Sequence, residues 1–380
     1  MLYLLVKSFL DRLEAHDFGY LRVFTFVTFQ TTVSIVLSFL ICLAFGPRFI
    51  AWLRRQKIGD HARFDQADFD KLMEGKKGTP TMGGVLIITA IFVATILLAD
   101  LRNFYVQMAL LTLVWLGGVG AADDWLKLTA ARRSSSRQGL TSLEKLLFQI
   151  GLAVILSVFI YHHGHWIDER TTLYFPFFKN LHVHLNLPAF IIIGTVVMVG
   201  TSNAVNLTDG LDGLAAGCTA IVAFTLLVLS FILGTPDLAK ALLLPYIKAS
   251  DQMAVLCGAM TGACLGFLWF NCNPAKVFMG DTGSLALGGL IGYIALVIRQ
   301  ELVLVIIGGI FVAEAVSVLM QVSYFKYTRR KYGEGRRIFL MAPLHHHFQR
   351  KGWTETQVVV RFWLIGAMLA AMALATVKLR

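Results

Sequence analysis

Long apolar runs recur along nearly the whole chain, with short polar segments between them. Most runs reach about 18 residues, which is the length an α-helix needs to cross the hydrocarbon core of a bilayer. Runs of this length predict spanning helices, not strands. The pattern therefore predicts an all-α polytopic membrane protein of about ten transmembrane helices, at residues 24–45, 82–99, 105–122, 143–161, 187–204, 213–233, 253–270, 284–298, 302–324 and 358–377.

Composition supports the same class. Of the 380 residues, 57% are hydrophobic and only 15% are charged, and the mean hydropathy is +0.68. A soluble chain of this size needs far more charge on its surface. No internal repeat or low-complexity tract interrupts the pattern, so we expect residues 1–380 to form a single integral-membrane domain.

Three segments outside the spans have their own character. Residues 1–20 mix apolar and charged positions, as an interfacial helix does. In the loop 162–186, the string LHVHLNL alternates in the way that a β-hairpin strand would. The segment 325–357 is a long polar loop.

The distribution of Lys and Arg predicts the orientation. Ten spans place the loops 46–81, 123–142, 205–212, 271–283 and 325–357 on one side, and these loops carry about twice as many Lys and Arg as the opposite side. An excess of positive charge marks the cytoplasmic face. A net charge of +11 also suits anionic headgroups, so charge alone does not identify a ligand.

Five acidic residues lie at span ends on that predicted cytoplasmic face. They are Asp123, Asp124, Asp209, Asp212 and Asp281. Carboxylates at the edge of the hydrocarbon are costly unless they hold a cation, a proton or a partner. Neighbours on a helix point about 100° apart, so Asp123 and Asp124 need not face the same ligand. Their convergence predicts a metal-assisted reaction in a cytoplasmic-face cleft, although exposed helix-end acids would also explain the pair alone.

The string NLTDGLDGL is the most informative of the acidic motifs. In a helix, its spacing of three would place Asn206, Asp209 and Asp212 on one polar stripe. Gly210 and Gly213 also permit an unwound turn, as expected where the chain lines a site. Both readings predict a functional segment at residues 206–213.

Asp281, in the string FMGDTGS, stands ahead of the eighth span. Small residues let backbone amides approach a phosphate, and a helix start favours negative charge. The carboxylate would complete a Mg²⁺ shell, since that ion takes one or two carboxylates together with phosphate oxygens and water. Helix capping by Asp281 or Thr282 is the structural alternative, and it is compatible with function.

Basic and imidazole groups accompany the acids. Residues 336–348 combine arginines with His345, His346 and His347, which we predict contact phosphate or sugar because three consecutive histidines do not all face one ion. A diphosphate is suited by Lys76, Lys77, Thr79 and Thr81, while the two lysines would also serve as anchors at the membrane face, Lys77 above all. Glu314, inside the ninth span, either bonds between helices or takes part in catalysis.

Taken together, the strings TPTMGG, DDWLK, NLTDGLDGL, NCNPAKVFMGDTGS and MAPLHHHF resemble the polyprenyl-phosphate N-acetylhexosamine-1-phosphate transferase superfamily. More narrowly, they resemble the family of bacterial phospho-N-acetylmuramoyl-pentapeptide transferases. The strings run from residue 79 to the KGW at 351–353 in the family order. The three consecutive histidines are similar to the segment that separates this family from relatives that use simpler UDP-sugars.

The resemblance implies roles for individual residues. It implies that Asp281 is the magnesium ligand, that Asp123 deprotonates the lipid phosphate and that Asp124 is its essential neighbour. It implies substrate contacts for Lys76, Thr81, Lys127, Asn206, Asp209, Asp212, Asn271, Phe278, His345, His346 and His347. The chain departs from the family before Gly139, where Gln138 follows Arg137 and the family often has lysine.

The implied reaction transfers phospho-MurNAc-pentapeptide from its UDP carrier to undecaprenyl phosphate. It gives lipid I and UMP for peptidoglycan, depends on Mg²⁺ and takes place at the inner membrane of a bacterium, often in a homodimer. One-step and covalent two-step routes both remain open. The alternatives are a transferase that uses UDP-GlcNAc and, from another class, a cation-coupled transporter, whose acids we would expect nearer mid-membrane.

Overall fold

The computed structural model describes residues 1–15, 19–56, 78–133, 139–163, 171–178 and 181–376. Within them the chain is almost entirely helical, which confirms the predicted all-α class. A 3₁₀ helix covers Gly19–Thr25. The α-helices are α1 (Leu2–Ala15), α2 (Val27–Arg55), α3 (Gly84–Leu98), α4 (Phe104–Arg133), α5 (Ser142–His163), α6 (Leu187–Thr208), α7 (Leu214–Gly234), α8 (Pro236–Ala241), α9 (Gln252–Asn271), α10 (Gly280–Val297), α11 (Glu301–Ile307), α12 (Gly309–Tyr332), α13 (Leu344–Arg350) and α14 (Glu355–Thr376).

Nine helices of the described chain are long and apolar enough to cross a membrane. They are α2, α4, α5, α6, α7, α9, α10, α12 and α14. The predicted span 82–99 corresponds to α3, which has 15 residues and is therefore only about 22 Å long. The protein is a multi-pass membrane protein.

Helices α9 and α10 form the centre of the bundle. Every residue of α10 from Thr282 to Val297 is buried, and nearly all of α9 is buried too. Helix α10 packs mainly against α4 and α6, while α9 packs against α2 and α7. A helix that is apolar on all sides belongs inside a bundle. This arrangement brings the first turn of α10 next to the end of α6 and to the second half of α4, which continues past the predicted span 105–122 to Arg133.

A two-stranded sheet and a contact of the first residue accompany the long helices. Strands β1 (Thr172–Tyr174) and β2 (His182–His184) pair antiparallel, with Thr172 opposite His184. Arg299 holds this pair, because its Nε donates to the Thr172 carbonyl over 3.1 Å. At the other end of the chain, the amino group of Met1 donates to the Ile96 carbonyl near the end of α3.

The predicted span 302–324 is divided. Helix α11 ends at Ile307 and α12 begins at Gly309, so the expected single helix was wrong at this point. Adjacent glycines are a common site of a sharp helix break, because they lack the side chains that hold neighbouring turns together. Helix α12 then continues to Tyr332, beyond the predicted boundary.

Candidate active site

Three carboxylates from helices α4 and α10 meet at one point. Asp123 and Asp124 lie in α4, and Asp281 lies in the first turn of α10. One oxygen from each residue falls within 4.8 Å of the others. Asp123 and Asp124 are buried, whereas Asp281 is only partly so. The structure therefore brings together the three residues that the sequence suggested as catalytic.

The two neighbouring acids have different surroundings. The carboxylate of Asp124 faces the start of α10, where Oδ1 accepts from the Asp281 backbone N–H over 3.2 Å. Its Oδ2 accepts from the Thr282 backbone N–H over 3.0 Å and from the Thr282 hydroxyl over 2.6 Å. The first amides of a helix have no partner within the helix. Asp124 therefore caps α10 from another helix and fixes the backbone that carries Asp281.

Asp123 and Asp281 instead share two lysines. The Lys145 ammonium lies 2.6 Å from a carboxylate oxygen of each acid. Lys127, one helical turn from Asp123, lies 2.7 Å from Asp123 and 3.2 Å from Asp281. The remaining oxygen of Asp123 accepts from the Leu140 backbone N–H over 2.7 Å. The centre is thus a compact network of acids and cations.

Lys145 was not among the residues predicted from the sequence. It stands in the first turn of α5, where a lysine at the end of an apolar run has the pattern of a membrane anchor. The one available signal was that Lys145 lies just inside the predicted span 143–161 and not ahead of it.

Helix α6 supplies Asn206. Its side-chain amide donates to Asp281 Oδ1 and to the Ser284 hydroxyl, both over 2.9 Å. The Asp281 carboxylate is therefore held on one side by Asn206 and on the other by the two lysines. A carboxylate fixed on both sides is oriented before any ligand arrives.

Asp209 follows the end of α6 and accepts a hydrogen bond from the Gly280 backbone. Burial, together with the negative charges of Asp281 and Asp124, raises the pKa of Asp209 to about 7. The helix ends before this residue, so the unwound turn allowed by the glycines is the arrangement found, and not a continuous polar stripe.

Asp212 and Asn271 face a different direction from the acidic cluster. Asp212 Oδ2 accepts from Asn273 Nδ2 over 3.2 Å and from the Ala275 backbone N–H over 3.0 Å. Asn271 accepts from the Gly213 N–H over 3.1 Å and donates to the Val277 carbonyl over 2.9 Å. Both residues tie the loop 272–279 to the turn that follows α6.

The same loop pairs with the chain that leads into α3. The Phe278 N–H donates to the Pro80 carbonyl, and the Gly83 N–H donates to the Phe278 carbonyl, each over 2.8 Å. Thr81 consequently lies beside Gly280, which has a φ of +75° that suits glycine. Phe278 is partly exposed. Lys76, Arg137 and Gln138 lie outside the described residues.

The three histidines occupy the short helix α13. His345 is buried, and its backbone N–H donates to Glu314 Oε1 over 3.1 Å. His346 and His347 are partly exposed. The Nδ1 of His346 lies 2.8 Å from Gln349 Oε1, and the Nδ1 of His347 accepts from the Leu340 N–H over 3.1 Å. The segment therefore has one interior residue and two that face outward.

The donor set at the acidic cluster fits a divalent cation. Carboxylate oxygens are the ligands that hard cations such as Mg²⁺ prefer. Here three of them, one from each acid, lie within 4.8 Å of one another. Asp281 is the best placed of them, because it is the most exposed, whereas Asp124 already accepts three hydrogen bonds. The acidic cluster can hold a metal ion. When bound, such an ion polarises a phosphorus centre and neutralises its oxygens.

An acidic cluster that can hold a divalent cation, beside two lysines in a helical membrane bundle, has the chemistry of phosphoryl transfer. Residues 106–299 match the family model for glycosyl transferase family 4, and residues 76–88 match phospho-N-acetylmuramoyl-pentapeptide-transferase signature 1. A curated phospho-N-acetylmuramoyl-pentapeptide-transferase of Desulfotalea psychrophila is 45% identical over 365 residues, which cover 96% of this chain and 97% of the relative. The chain belongs to the phospho-N-acetylmuramoyl-pentapeptide-transferase family.

Proposed function

We propose that this chain transfers phospho-N-acetylmuramoyl-pentapeptide from UDP-MurNAc-pentapeptide to undecaprenyl phosphate, giving lipid I and UMP for peptidoglycan synthesis, with Mg²⁺ as the cation. Membership of the family supports the donor and the polyprenyl phosphate acceptor. The observation that carries the proposal is the meeting of Asp123, Asp124 and Asp281 within 4.8 Å, beside Lys127 and Lys145.

The reaction breaks one diphosphate and forms another. The main barrier is the approach of a phosphate anion to an anionic diphosphate. Mg²⁺ at Asp281 would polarise the donor phosphorus and offset charge on the leaving UMP. Asn206 holds the Asp281 carboxylate in place, and Asp124 holds the backbone of that residue. Both contacts orient the site before substrates bind.

Lys127 and Lys145 have the chemistry to receive phosphates. Their ammonium groups lie between Asp123 and Asp281, and Lys127 is half exposed, with 47% of its side chain accessible. Ammonium groups bind phosphate oxygens strongly where water is partly excluded. We assign these two lysines to the attacking and transferring phosphates.

We assign Asp123 mainly to positioning the two lysines, and only secondarily to removing a proton from the lipid phosphate. Its carboxylate is shared by two ammonium groups and one backbone N–H. A phosphate monoester is already largely ionised near neutral pH, since its second pKa is about 6. Removal of a last proton by Asp123 is therefore a small demand. Direct attack of the lipid phosphate is favoured, because both phosphates can approach the same cluster.

The remaining assignments follow the loops around the cluster. Asp209, Asp212, Asn271 and Phe278 belong to the turn and loop that would hold uridine, with Phe278 as a stacking platform. Thr81 and Lys76 would meet the diphosphate, and His346 and His347 the sugar phosphate. The excess of Lys and Arg supports a cytoplasmic site in the inner membrane. Dimerisation remains part of the proposal.

The deciding experiment measures UMP release by the purified protein. We expect release only with UDP-MurNAc-pentapeptide, undecaprenyl phosphate and Mg²⁺ together, and expect Asp281→Asn to abolish it. UDP-GlcNAc in place of the pentapeptide donor should give no product. Normal turnover by Asp281→Asn would refute the metal assignment, and preference for UDP-GlcNAc would refute the donor.

A further inference from the structure

A carboxylate and an imidazole that are not part of the acidic cluster lie fully buried in the protein. Glu314 of α12 and His345 of α13 are each 0% exposed. Glu314 Oε1 accepts the His345 backbone N–H over 3.1 Å, and the His345 Nδ1 lies 3.1 Å from the same oxygen. A carboxylate within an apolar helix is costly unless a partner is fixed beside it. The His345 backbone N–H is the hydrogen-bonding partner, and the His345 ring lies beside the carboxylate.

The far side of the His345 ring meets the NLTDGLDGL turn. A Cβ on Gly210 would collide with Nε2 of His345, so the ring lies directly on the backbone between Asp209 and Asp212. Only glycine allows so close an approach at this position. The His345 ring therefore spans from Glu314 to the turn that carries two of the predicted uridine-side acids.

The other end of α13 is fixed independently. Trp353 stacks on Phe348 with ring centroids 4.4 Å apart, and the Arg361 guanidinium lies 4.0 Å from the Trp353 ring. Stacked aromatic and cation–π contacts of this kind hold the segment against α14. With one end fixed there, the contact between Glu314 and His345 sets the remaining direction of α13, and with it the placement of His346 and His347.

We propose that Glu314 is a positioning residue for donor binding, which acts through the buried ring of His345 and holds both the histidine segment and the turn at Gly210 in register. The proposal rests on the function proposed above. It also divides the three histidines: His345 is an internal support, while the partly exposed His346 and His347 are the ones available to the donor.

The first test replaces the carboxylate. Glu314→Leu keeps the side-chain volume but removes the acceptor, whereas Glu314→Gln keeps an oxygen for the His345 N–H. We expect Glu314→Leu to raise the KM for UDP-MurNAc-pentapeptide about tenfold with a much smaller change in kcat. Glu314→Gln should have a KM within about twofold of that of wild type.

A second variant moves the ring from the opposite side. Gly210→Ala places a methyl group where Nε2 of His345 lies, so it should raise the same KM with Glu314 intact. In the double variant with Glu314→Leu, the fold-increase in KM should be smaller than the product of the two single fold-increases, because both substitutions displace the His345 ring. Ser317→Ala is the matched control: its hydroxyl donates only to the Glu314 backbone carbonyl one turn away, over 2.7 Å, and its KM should not change.

The outcomes separate cleanly. If Glu314→Leu lowers the thermal unfolding temperature but leaves the KM of the folded fraction unchanged, Glu314 is structural and the positioning proposal is wrong. Full multiplicative effects of Glu314→Leu and Gly210→Ala would also overturn it. If wild-type protein itself releases no UMP from this donor, it is the proposed function that fails.

Discussion

At the scale of single residues, Lys145 determines how the acidic cluster is balanced. Its ammonium lies 2.6 Å from both Asp123 and Asp281, so it neutralises the carboxylates that a cation would bind. The same atom is close enough to meet a phosphate that approaches Asp281. We therefore expect Lys145 to compete with a metal ion for these carboxylates and to attract the substrate phosphate.

Lys145→Met should separate these two effects. Loss of the competing charge should tighten the binding of Mn²⁺, used as a paramagnetic substitute for Mg²⁺, while turnover should fall about 100-fold because a fixed phosphate-facing charge is lost. Lys145→Arg should keep more of the activity, and exposed Lys240→Met should match wild type. Weaker Mn²⁺ binding in Lys145→Met would contradict the competition.

Asp209 should make stability depend on pH. Burial raises its pKa to about 7 from an ordinary value of 3.8, so between these values the folded protein binds more protons than the unfolded chain. The contribution to folding stability then falls as pH rises through that window. In detergent with EDTA, wild type should lose more thermal stability than Asp209→Asn between about pH 5 and about pH 8. Parallel curves for the two proteins would show that Asp209 is not shifted in this way.

The acids whose convergence the sequence predicted are residues whose chemistry conflicts with their setting. Carboxylates such as Asp123 and Asp281 at the ends of apolar runs are costly, which makes them conspicuous. Lys145 escaped prediction because a lysine at a span end has an ordinary explanation as an anchor. The opposed directions of Asp123 and Asp124 were allowed by helix geometry, but their separate partners depend on the packing of α4 against α10.

At the scale of elements, the first turn of α10 is capped by a residue of another helix. Asp124 accepts from the backbone N–H groups of Asp281 and Thr282 and from the Thr282 hydroxyl. A side-chain cap is normally supplied by a residue next to the helix start. Here the cap comes from α4. The packing of α4 against α10 therefore affects the orientation of the Asp281 carboxylate.

Thr282→Val should test this coupling without touching a carboxylate. The variant loses the 2.6 Å hydroxyl contact to Asp124, so stability should fall by about 1 kcal/mol, as for other lost caps. The kcat should fall more than the KM changes, since Asp281 is misdirected. Thr282→Ser keeps the hydroxyl and should behave like wild type. Equal kcat in Thr282→Val and Thr282→Ser would argue against the coupling.

Element boundaries were predicted less well than the elements themselves. Apolar length located the long helices, because crossing a bilayer demands it. It did not reveal the break at Gly308, since α11 and α12 are both apolar across the join. Nor did spacing decide between a stripe and a turn at Asp209, because glycines at 210 and 213 are compatible with both. These features depend on tertiary contacts such as that of His345 with Gly210.

At the scale of the whole molecule, two buried helices organise everything else. Helices α9 and α10 are apolar on nearly all sides, so the other long helices pack around them and their polar ends meet at a common level. The acidic cluster, the 272–279 loop and the histidine segment all lie at ends of this assembly. One-sided convergence of this kind explains how a membrane protein can present a polar site to water without placing charge in mid-bilayer.

The predicted orientation can be tested with single cysteines. Four of the five native cysteines are buried and only Cys272 is exposed, so Cys272→Ser gives a quiet background. In this background, Phe178→Cys, next to the strand pair, and Tyr332→Cys, at the end of α12, place thiols at positions that are 63% and 53% exposed. The excess of Lys and Arg around residues 325–357 predicts a cytoplasmic position for Tyr332. A membrane-impermeant maleimide added to intact spheroplasts should therefore label Phe178→Cys, and should label Tyr332→Cys only after lysis. The reverse pattern would put the acidic cluster on the outer face, where UDP-linked donors made inside the cell could not reach it, and would remove the basis of the proposed reaction.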